Sequence, residues 1–253
     1  MAMTRKIAFS SPTSTDDEST TLFTSFQSAG YDGLQLKYAQ YKAYLDEPLR
    51  FIEEWGHLPG VGAGLIAGGV LDEANLQLLR KTFGFAKSIG SEIIVFCHLI
   101  PRVGITNEDI QKYAVILSEL GREAQQQGLK LSLHHHHNQP VMHRTDFDIF
   151  FDQVKDQSIG LTVDTAHLVK SGIHDISEII HSYKHHIDNF HLKDFDHGDW
   201  KVLGKGGIPF SPIFQAIKDI NYGGWISADE ESGGELHSGM NECIKFIKNG
   251  LSN

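Results

Sequence analysis

The chain has 253 residues, 40% hydrophobic and 21% charged, with 22 Lys and Arg against 32 Asp and Glu and a formal net charge of −10. That balance argues against a nucleic-acid surface, which needs clustered basic side chains, and no run approaches the ~18 apolar residues of a membrane span. The N-terminus leads from Met1-Ala2-Met3-Thr4-Arg5-Lys6 straight into a strand-like run with no apolar signal core, and the two cysteines, Cys97 and Cys243, read as buried free thiols, so a cytoplasmic protein is expected.

Residues 6–10 read as a first strand and residues 14–28 as the first helix, with Asp16, Asp17 and Glu18 near its start and Gly30 stopping it. Residues 32–37 form the second strand. Residues 41–55 are helical with Pro48 marking a break or an internal start, and residues 60–69 make a glycine-rich third strand. Residues 71–89 have apolar positions at helical spacing, closed by Gly90. Ile93-Ile94-Val95-Phe96 reads as a strand covered on both faces, with His98 just past its end. Thr106-Asn107-Glu108-Asp109 opens a long helix with a capping-type start, and Gly128 closes it before the fifth strand. A short helix over 146–154, a sixth strand over 159–164, a helix over 175–186 and a seventh strand over 188–192 follow. Residues 209–220 are helical, 224–229 form the eighth strand and 235–248 the last helix. Eight strand-then-helix units without a long linker imply a parallel sheet, and eight favour closure into an α/β fold, a (β/α)8 TIM barrel in which residues 1–253 form one domain. An open doubly wound sheet is the competitor, but the first turn, Ser10-Ser11-Pro12-Thr13, lacks the glycine fingerprint of a dinucleotide site.

In such a barrel the C-terminal ends of all strands meet on one face. Four apolar runs here end in groups that bind metals or move protons: His134 to His137, Asp164-Thr165-Ala166-His167, His191-Leu192-Lys193-Asp194 and Asp229-Glu230-Glu231. Alternation along a strand puts His134 with His136, His191 with Lys193, and Asp229 with Glu231. Four adjacent imidazoles need partners or a metal if buried, and are otherwise a solvated loop tip. Asp164 is a hard ligand beside the imidazole of His167, or a helix cap. Lys193 holds a substrate oxygen or pairs with Asp194. Asp229 and Glu231 offer a metal ligand and a proton-transfer group, or an acidic helix start. Cys97-His98 and Lys37 are candidates for the rim, where core packing or solvent exposure explains them equally well, and Gln35 and Tyr38 are weaker. The loop Leu203-Gly204-Lys205-Gly206-Gly207-Ile208-Pro209-Phe210 bares N–H groups for a phosphate or simply seats the next helix.

At these residues the chain resembles the xylose-isomerase-like TIM-barrel superfamily of sugar isomerases, epimerases and related dehydratases. The resemblance is carried in order by Val163-Asp164-Thr165-Ala166-His167, Phe190-His191-Leu192-Lys193-Asp194, the glycine loop and Tyr222-Gly223-Gly224-Trp225. It implies one divalent ion bound by a Glu after strand five, an Asp after strand six, a His after strand seven and a Glu after strand eight. The Asp and His fall on Asp164 and His191, and a substrate-contacting His on His167. The two Glu positions fall on His134 and Asp229, so the pair that sugar epimerases of the family use for proton removal and return is absent. The His-x-His after strand five is similar to the pattern of inosose dehydratases. The chain also resembles metal-cluster endonucleases for abasic DNA, a branch its acidic charge argues against.

The expectation is an enzyme with one divalent metal ion, Mn²⁺, Co²⁺, Fe²⁺ or Zn²⁺ ahead of Mg²⁺, held by His134, Asp164, His191 and Asp229. Glu231 or His136 is the acid/base, Lys193 stabilises an enediolate, and His167, His98 and Lys37 contact a small sugar or polyol-like substrate. Isomerase or epimerase chemistry is favoured over dehydration. A barrel that only binds a carbohydrate is the rival from another class. No nucleic-acid or membrane partner is expected, and a homo-oligomer is left open.

Overall fold

The structure, a computed structural model, describes residues 5–252, so the reading of Met1 to Thr4 lies outside the described residues. Its strands are β1 (Lys6–Ser10), β2 (Gly33–Leu36), β3 (Gly64–Gly69), β4 (Ile93–His98), β5 (Lys130–His134), β6 (Gly160–Asp164), β7 (Ile187–Leu192), the short β8 (Asp194–Asp196) and β9 (Asp199–Lys201), and β10 (Trp225–Asp229). All but β8 and β9 pair in parallel around a closed barrel in the order β1-β10-β7-β6-β5-β4-β3-β2. The helices outside it are α1 (Asp16–Ala29), α2 (Tyr38–Tyr41), α3 (Pro48–Trp55), α4 (Glu73–Ile89), α5 (Asn107–Gln126), α6 (Arg144–Phe151), α7 (Thr165–Lys170), α8 (Ile176–Ser182), α9 (Phe210–Asp219) and α10 (Leu236–Ser252). No helix among the described residues is long and apolar enough to cross a membrane.

The barrel interior is layered. Ala8, Ala63, Ile93, Val95 and Trp225 pack together as an apolar floor. Above them lies a ring of neutral polar groups, in which Gln35 Nε2 donates to Asn189 Oδ1 (2.8 Å), Asn189 Nδ2 donates to Thr162 Oγ1 (3.3 Å) and the Ser132 and Thr162 hydroxyls share a bond (2.7 Å). Two residues further along come Lys37, His134, Asp164 and His191, because side chains on one face recur at every second position. The charged mouth therefore sits on a hydrogen-bonded shelf. Outside the barrel, Phe26, Phe83, Phe147, Phe150 and Ile217 are fully buried in the helix layer.

Several boundaries differ from the sequence reading. The third strand starts at Gly64 rather than at residue 60. Gly60 has φ +85° and its carbonyl accepts from both Leu34 and Ala63, so the chain turns there before it can extend. The helix expected over 41–55 divides into α2, a 3₁₀ turn Lys42–Tyr44 and α3, with Pro48 at the first position of α3, where its missing N–H costs nothing. The β8–β9 hairpin was not expected. Its turn residues His197 and Gly198 both have positive φ (49° and 92°), which suits a two-residue turn between twisted strands, and Phe195 faces Trp200 across it.

Candidate metal centre at the barrel mouth

His191 ends β7 fully buried. Its Nε2–H donates to Gln35 Oε1 (2.8 Å), which leaves Nδ1 as the lone-pair nitrogen. That nitrogen has no hydrogen-bond partner among the described residues and stands 3.9 Å from Asp164 Oδ2 and 3.9 Å from Asp229 Oδ2. The His191 nitrogen thus faces two carboxylate oxygens, which also meet His134 Nε2 (3.2 Å) and Lys193 Nζ (3.2 Å), and its own buried lone pair is the one left without a partner, a cost that a cation between the three would remove. Imidazole nitrogen with carboxylate oxygen is a donor set for Zn²⁺, Mn²⁺, Fe²⁺ or Co²⁺. The ligand atoms of Asp164, His191 and Asp229 lie within 4.8 Å of one another, and so do those of His134, Asp164 and His167. The residues fit a divalent ion, and the four expected ligands fall into two overlapping triads, the second of which includes His167.

His134 ends β5 with both ring nitrogens engaged, Nε2 with Asp164 Oδ2 (3.2 Å) and Nδ1 with Cys97 Sγ (2.8 Å). Burial disfavours a charged His134 ring, but Cys97 and Asp164 outweigh it and bring the ring up to about 10. In the metal-free chain this imidazolium supplies the positive charge that Asp164 needs. Asp164 also caps α7 by accepting from His167 N (2.9 Å). Burial pushes the Asp164 carboxyl up, yet His167, His134 and Lys193 hold it well below the usual carboxylate range. Burial lowers His191 to about 3, against the pull of Asp229, so its ring is neutral and able to ligate.

Asp229 ends β10 between two ammonium groups. Lys37 Nζ donates to Asp229 Oδ1 (2.6 Å) and Glu231 Oε1 (2.7 Å), while Lys193 Nζ donates to Asp229 Oδ2 (3.2 Å) and to the other oxygen of Glu231. Burial works against the charge on both lysines, and Asp229 and Glu231 more than offset it, so both are held above their ordinary range. Asp229 is driven well below its own range by Lys193 and Lys37 despite its burial. Lys193 also stands 4.4 Å from the ring centroid of Trp200, which packs edge-on against His167 (5.0 Å). His136 lies tilted against His167 with ring centroids 3.6 Å apart, and its Nδ1–H donates to the carbonyl of His137 (2.9 Å).

The structure therefore gathers His134, His136, Asp164, His167, His191, Lys193, Asp229, Glu231 and Lys37 at one mouth. His98 is not among them. Cys97 reaches the mouth, so its neighbour His98 points the other way, against Phe96 and Tyr113. His135 also faces outward, onto Phe147, and accepts from Asp164 N (2.9 Å), which fixes the end of β6. The glycine loop after β7 takes the structural role. Its N–H groups at Gly204, Gly206 and Ile208 all donate to Asp194 (2.9 to 3.2 Å), as does Phe195, which leaves them committed to a carboxylate of the chain itself. Sequence reasoning gave Cys97 only as a rim candidate together with His98, ranked Gln35 below them and did not find Trp200. The one local signal for Trp200 was the His197-Gly198 turn.

Comparison with known proteins agrees with this architecture. Inosose dehydratase of Clostridium beijerinckii is 32% identical over 151 residues, covering 52% of this chain and 50% of that protein. Inosose dehydratase of Lacticaseibacillus casei is 30% identical over 145 residues, 50% of this chain and 48% of that protein. The chain thus spans about half the length of the curated relatives it matches. Among solved structures, an L-ribulose 3-epimerase superposes with a TM-score of 0.79 at 19% identity over 98% of this chain and 95% of that one. The IOLI protein with a binding zinc atom superposes with a TM-score of 0.78 at 19% identity over 98% of each chain. Both share the fold. The family described as xylose isomerase-like TIM barrel matches residues 23–250, from α1 through α10 and all but the first strand of the barrel, and the chain belongs to that family.

Proposed function

We propose that the chain is a divalent-metal-dependent enzyme that removes the proton α to the carbonyl of a small polyhydroxy ketone and then releases a β-hydroxyl as water. The observation that carries this is the unpartnered Nδ1 of His191 facing two buried carboxylate oxygens. His191, Asp164 and Asp229, with His134 or His167, would hold the ion, whose charge would polarise a ketone and acidify the neighbouring C–H. The remaining steps belong to side chains. Because His136 gives Nδ1–H to a carbonyl and burial lowers its pKa, its Nε2 is a neutral base for the α-proton. Lys193 faces the negative charge that develops on the substrate oxygen. The Lys193–Glu231 pair relays a proton to the departing hydroxyl, Glu231 being the least buried member of the network at 29% side-chain exposure. His167 and Trp200 form the wall against which the substrate lies. The curated relatives, inosose dehydratases, support dehydration, and two buried free cysteines support a cytoplasmic setting.

Isomerisation or epimerisation by the same proton abstraction is the second reading. It is supported by the positions of His136 and Glu231, which follow strands β5 and β10 with β6 and β7 between them, so that a proton removed on one side has a donor on the other. To separate the two, inososes and ketoses are incubated in D₂O with protein loaded with Mn²⁺, Co²⁺ or Zn²⁺. An unsaturated dione supports the dehydratase, whereas deuterium at the α-carbon without loss of water supports the epimerase. Neither product with any metal, together with retained carbohydrate binding, would leave only a non-catalytic barrel.

A further inference from the structure

We infer that the thiol of Cys97 is a positioning residue for the metal centre, fixing the ring plane of His134 so that its Nε2 is aimed at the ion site beside Asp164. The inference rests on the metal-dependent reading above and concerns a residue outside the proposed ligand set. Cys97 and His134 are direct lateral partners in the parallel pairing of β4 with β5. Both side chains point into the barrel, with Sγ 2.8 Å from Nδ1. The other nitrogen of the same ring is 3.2 Å from Asp164 Oδ2, so the ring bridges thiol and carboxylate, and a rotation that breaks one contact breaks both.

A histidine that ligates through one nitrogen carries its proton on the other, and a partner for that N–H sets the tautomer and the ring plane. For His191 that partner is the Gln35 amide oxygen. For His134 no carboxylate or carbonyl among the described residues fills the role, and the only group within hydrogen-bond distance of Nδ1 is the Cys97 sulfur. With an ion on Nε2, Nδ1–H donates to Sγ. The two imidazoles of the centre are thus held by different chemistry, one by an amide and one by a thiol. The second cysteine provides an internal control, because Cys243 lies in α10 with its sulfur 3.8 Å from Glu230 Oε2, in the helix layer rather than at the mouth.

The test is a titration of metal-free protein with Co²⁺, followed by its visible absorption and by competition with a chelator. The proteins compared are wild type and the variants Cys97→Ser, Cys97→Ala, Cys97→Val and Cys243→Ser. Serine keeps an acceptor, alanine removes it, and valine removes it while filling the volume. Wild type, Cys97→Ser and Cys243→Ser are expected to bind Co²⁺ with similar affinity and the same spectrum. Cys97→Ala and Cys97→Val should bind about 10–100-fold more weakly. Melting of the metal-free variants reports packing, and the expected deficit appears in the additional shift that saturating Co²⁺ produces. Equal Co²⁺ affinity in wild type, alanine and valine proteins overturns the inference and leaves the metal reading standing. So does a serine variant as weak as valine. A wild-type protein that takes up no Co²⁺ removes the metal reading itself, and the role of Cys97 with it.

Discussion

His191 Nδ1 and Asp164 Oδ2 face each other across 3.9 Å without a shared proton, because the His191 ring has given its one N–H to Gln35. The buried lone pair of His191 beside an ionised oxygen that only His134 shares is a position that suits a cation. His191→Ala and Asp164→Asn are therefore expected to abolish retention of Mn²⁺, Co²⁺ or Zn²⁺ after desalting, as measured by elemental analysis. Asparagine is chosen at 164 because it can still cap α7. Gln35→Ala removes the partner of the ring, together with the bonds of Gln35 to Asn189, and should weaken binding by about 10–100-fold. Metal retained at wild-type level in the His191 variant would mean that the ion, if any, sits elsewhere.

Lys193 stands at the junction of Asp229, Glu231 and the Trp200 face, and the proposed reaction assigns it to the negative charge on a substrate oxygen. Lys193→Met should lower kcat by about 10²–10³, with the protein still folded and still binding metal. Lys37 touches the same two carboxylates from the rim, so Lys37→Met should alter KM and the pH profile more than kcat. Steady-state kinetics on both variants distinguish these effects, and a Lys193 variant with unchanged kcat would exclude it from the reaction.

Trp200 is half-buried, lies on a hairpin outside the barrel wall, and still touches both His167 and Lys193. Trp200→Ala is expected to raise KM at least tenfold while leaving kcat within a few-fold, since an apolar wall binds ground state and transition state alike. Trp200→Phe should recover most of the loss. An unchanged KM would show that substrate lies elsewhere in the mouth.

Acid stability gives an independent check. Burial brings His98 down to about 4, from an ordinary value of 6.5. Between those values the unfolded chain binds a proton that the folded one does not, so stability falls as pH falls, by about 1.4 kcal/mol per pH unit for this ring. His135 and His191, both near 3, act in the same direction. His134 has the opposite sign, because its contribution is complete below pH 6.5 and is lost as pH rises through about 10. Denaturant titrations in chelator should show His98→Phe with an acid limb shallower by about one proton. An acid limb identical to wild type would mean that the His98 ring takes up a proton within the fold.

Asp194 tests the structural reading of the glycine loop. Its carboxylate accepts from the N–H groups of Phe195, Gly204, Gly206 and Ile208. Asp194→Ala strands these donors and should cost about 3 kcal/mol or more, seen as a fall in Tm on the order of 10 °C. A marginal change in Tm, with lost affinity for phosphorylated substrates instead, would favour the anion-site reading of the loop.

Strand ends were the most legible part of the sequence, because alternation assigns every second residue to one face once one inward residue is known. It paired His191 with Lys193 and Asp229 with Glu231, and both pairs meet at the mouth. The same rule failed at β4 for a physical reason. Ile93-Ile94-Val95-Phe96 is apolar on both faces, so the sequence carries no phase there, and the choice between Cys97 and His98 as the inward residue depends on register alone. The glycine loop was ambiguous in a similar way, since exposed N–H groups advertise an acceptor without saying whether the chain provides it.

Eight repeats of strand and helix, closed by caps and glycines, are local properties, and the sequence by itself determined the barrel and the face on which its chemistry lies. Which donor meets which acceptor on that face was decided only by the tertiary structure. His191 meets Gln35 across 156 positions, Lys37 meets Asp229 across 192, and His134 meets Cys97 across 37. Contacts over such separations depend on strand register and barrel closure, which no local pattern of hydrophobicity or charge encodes.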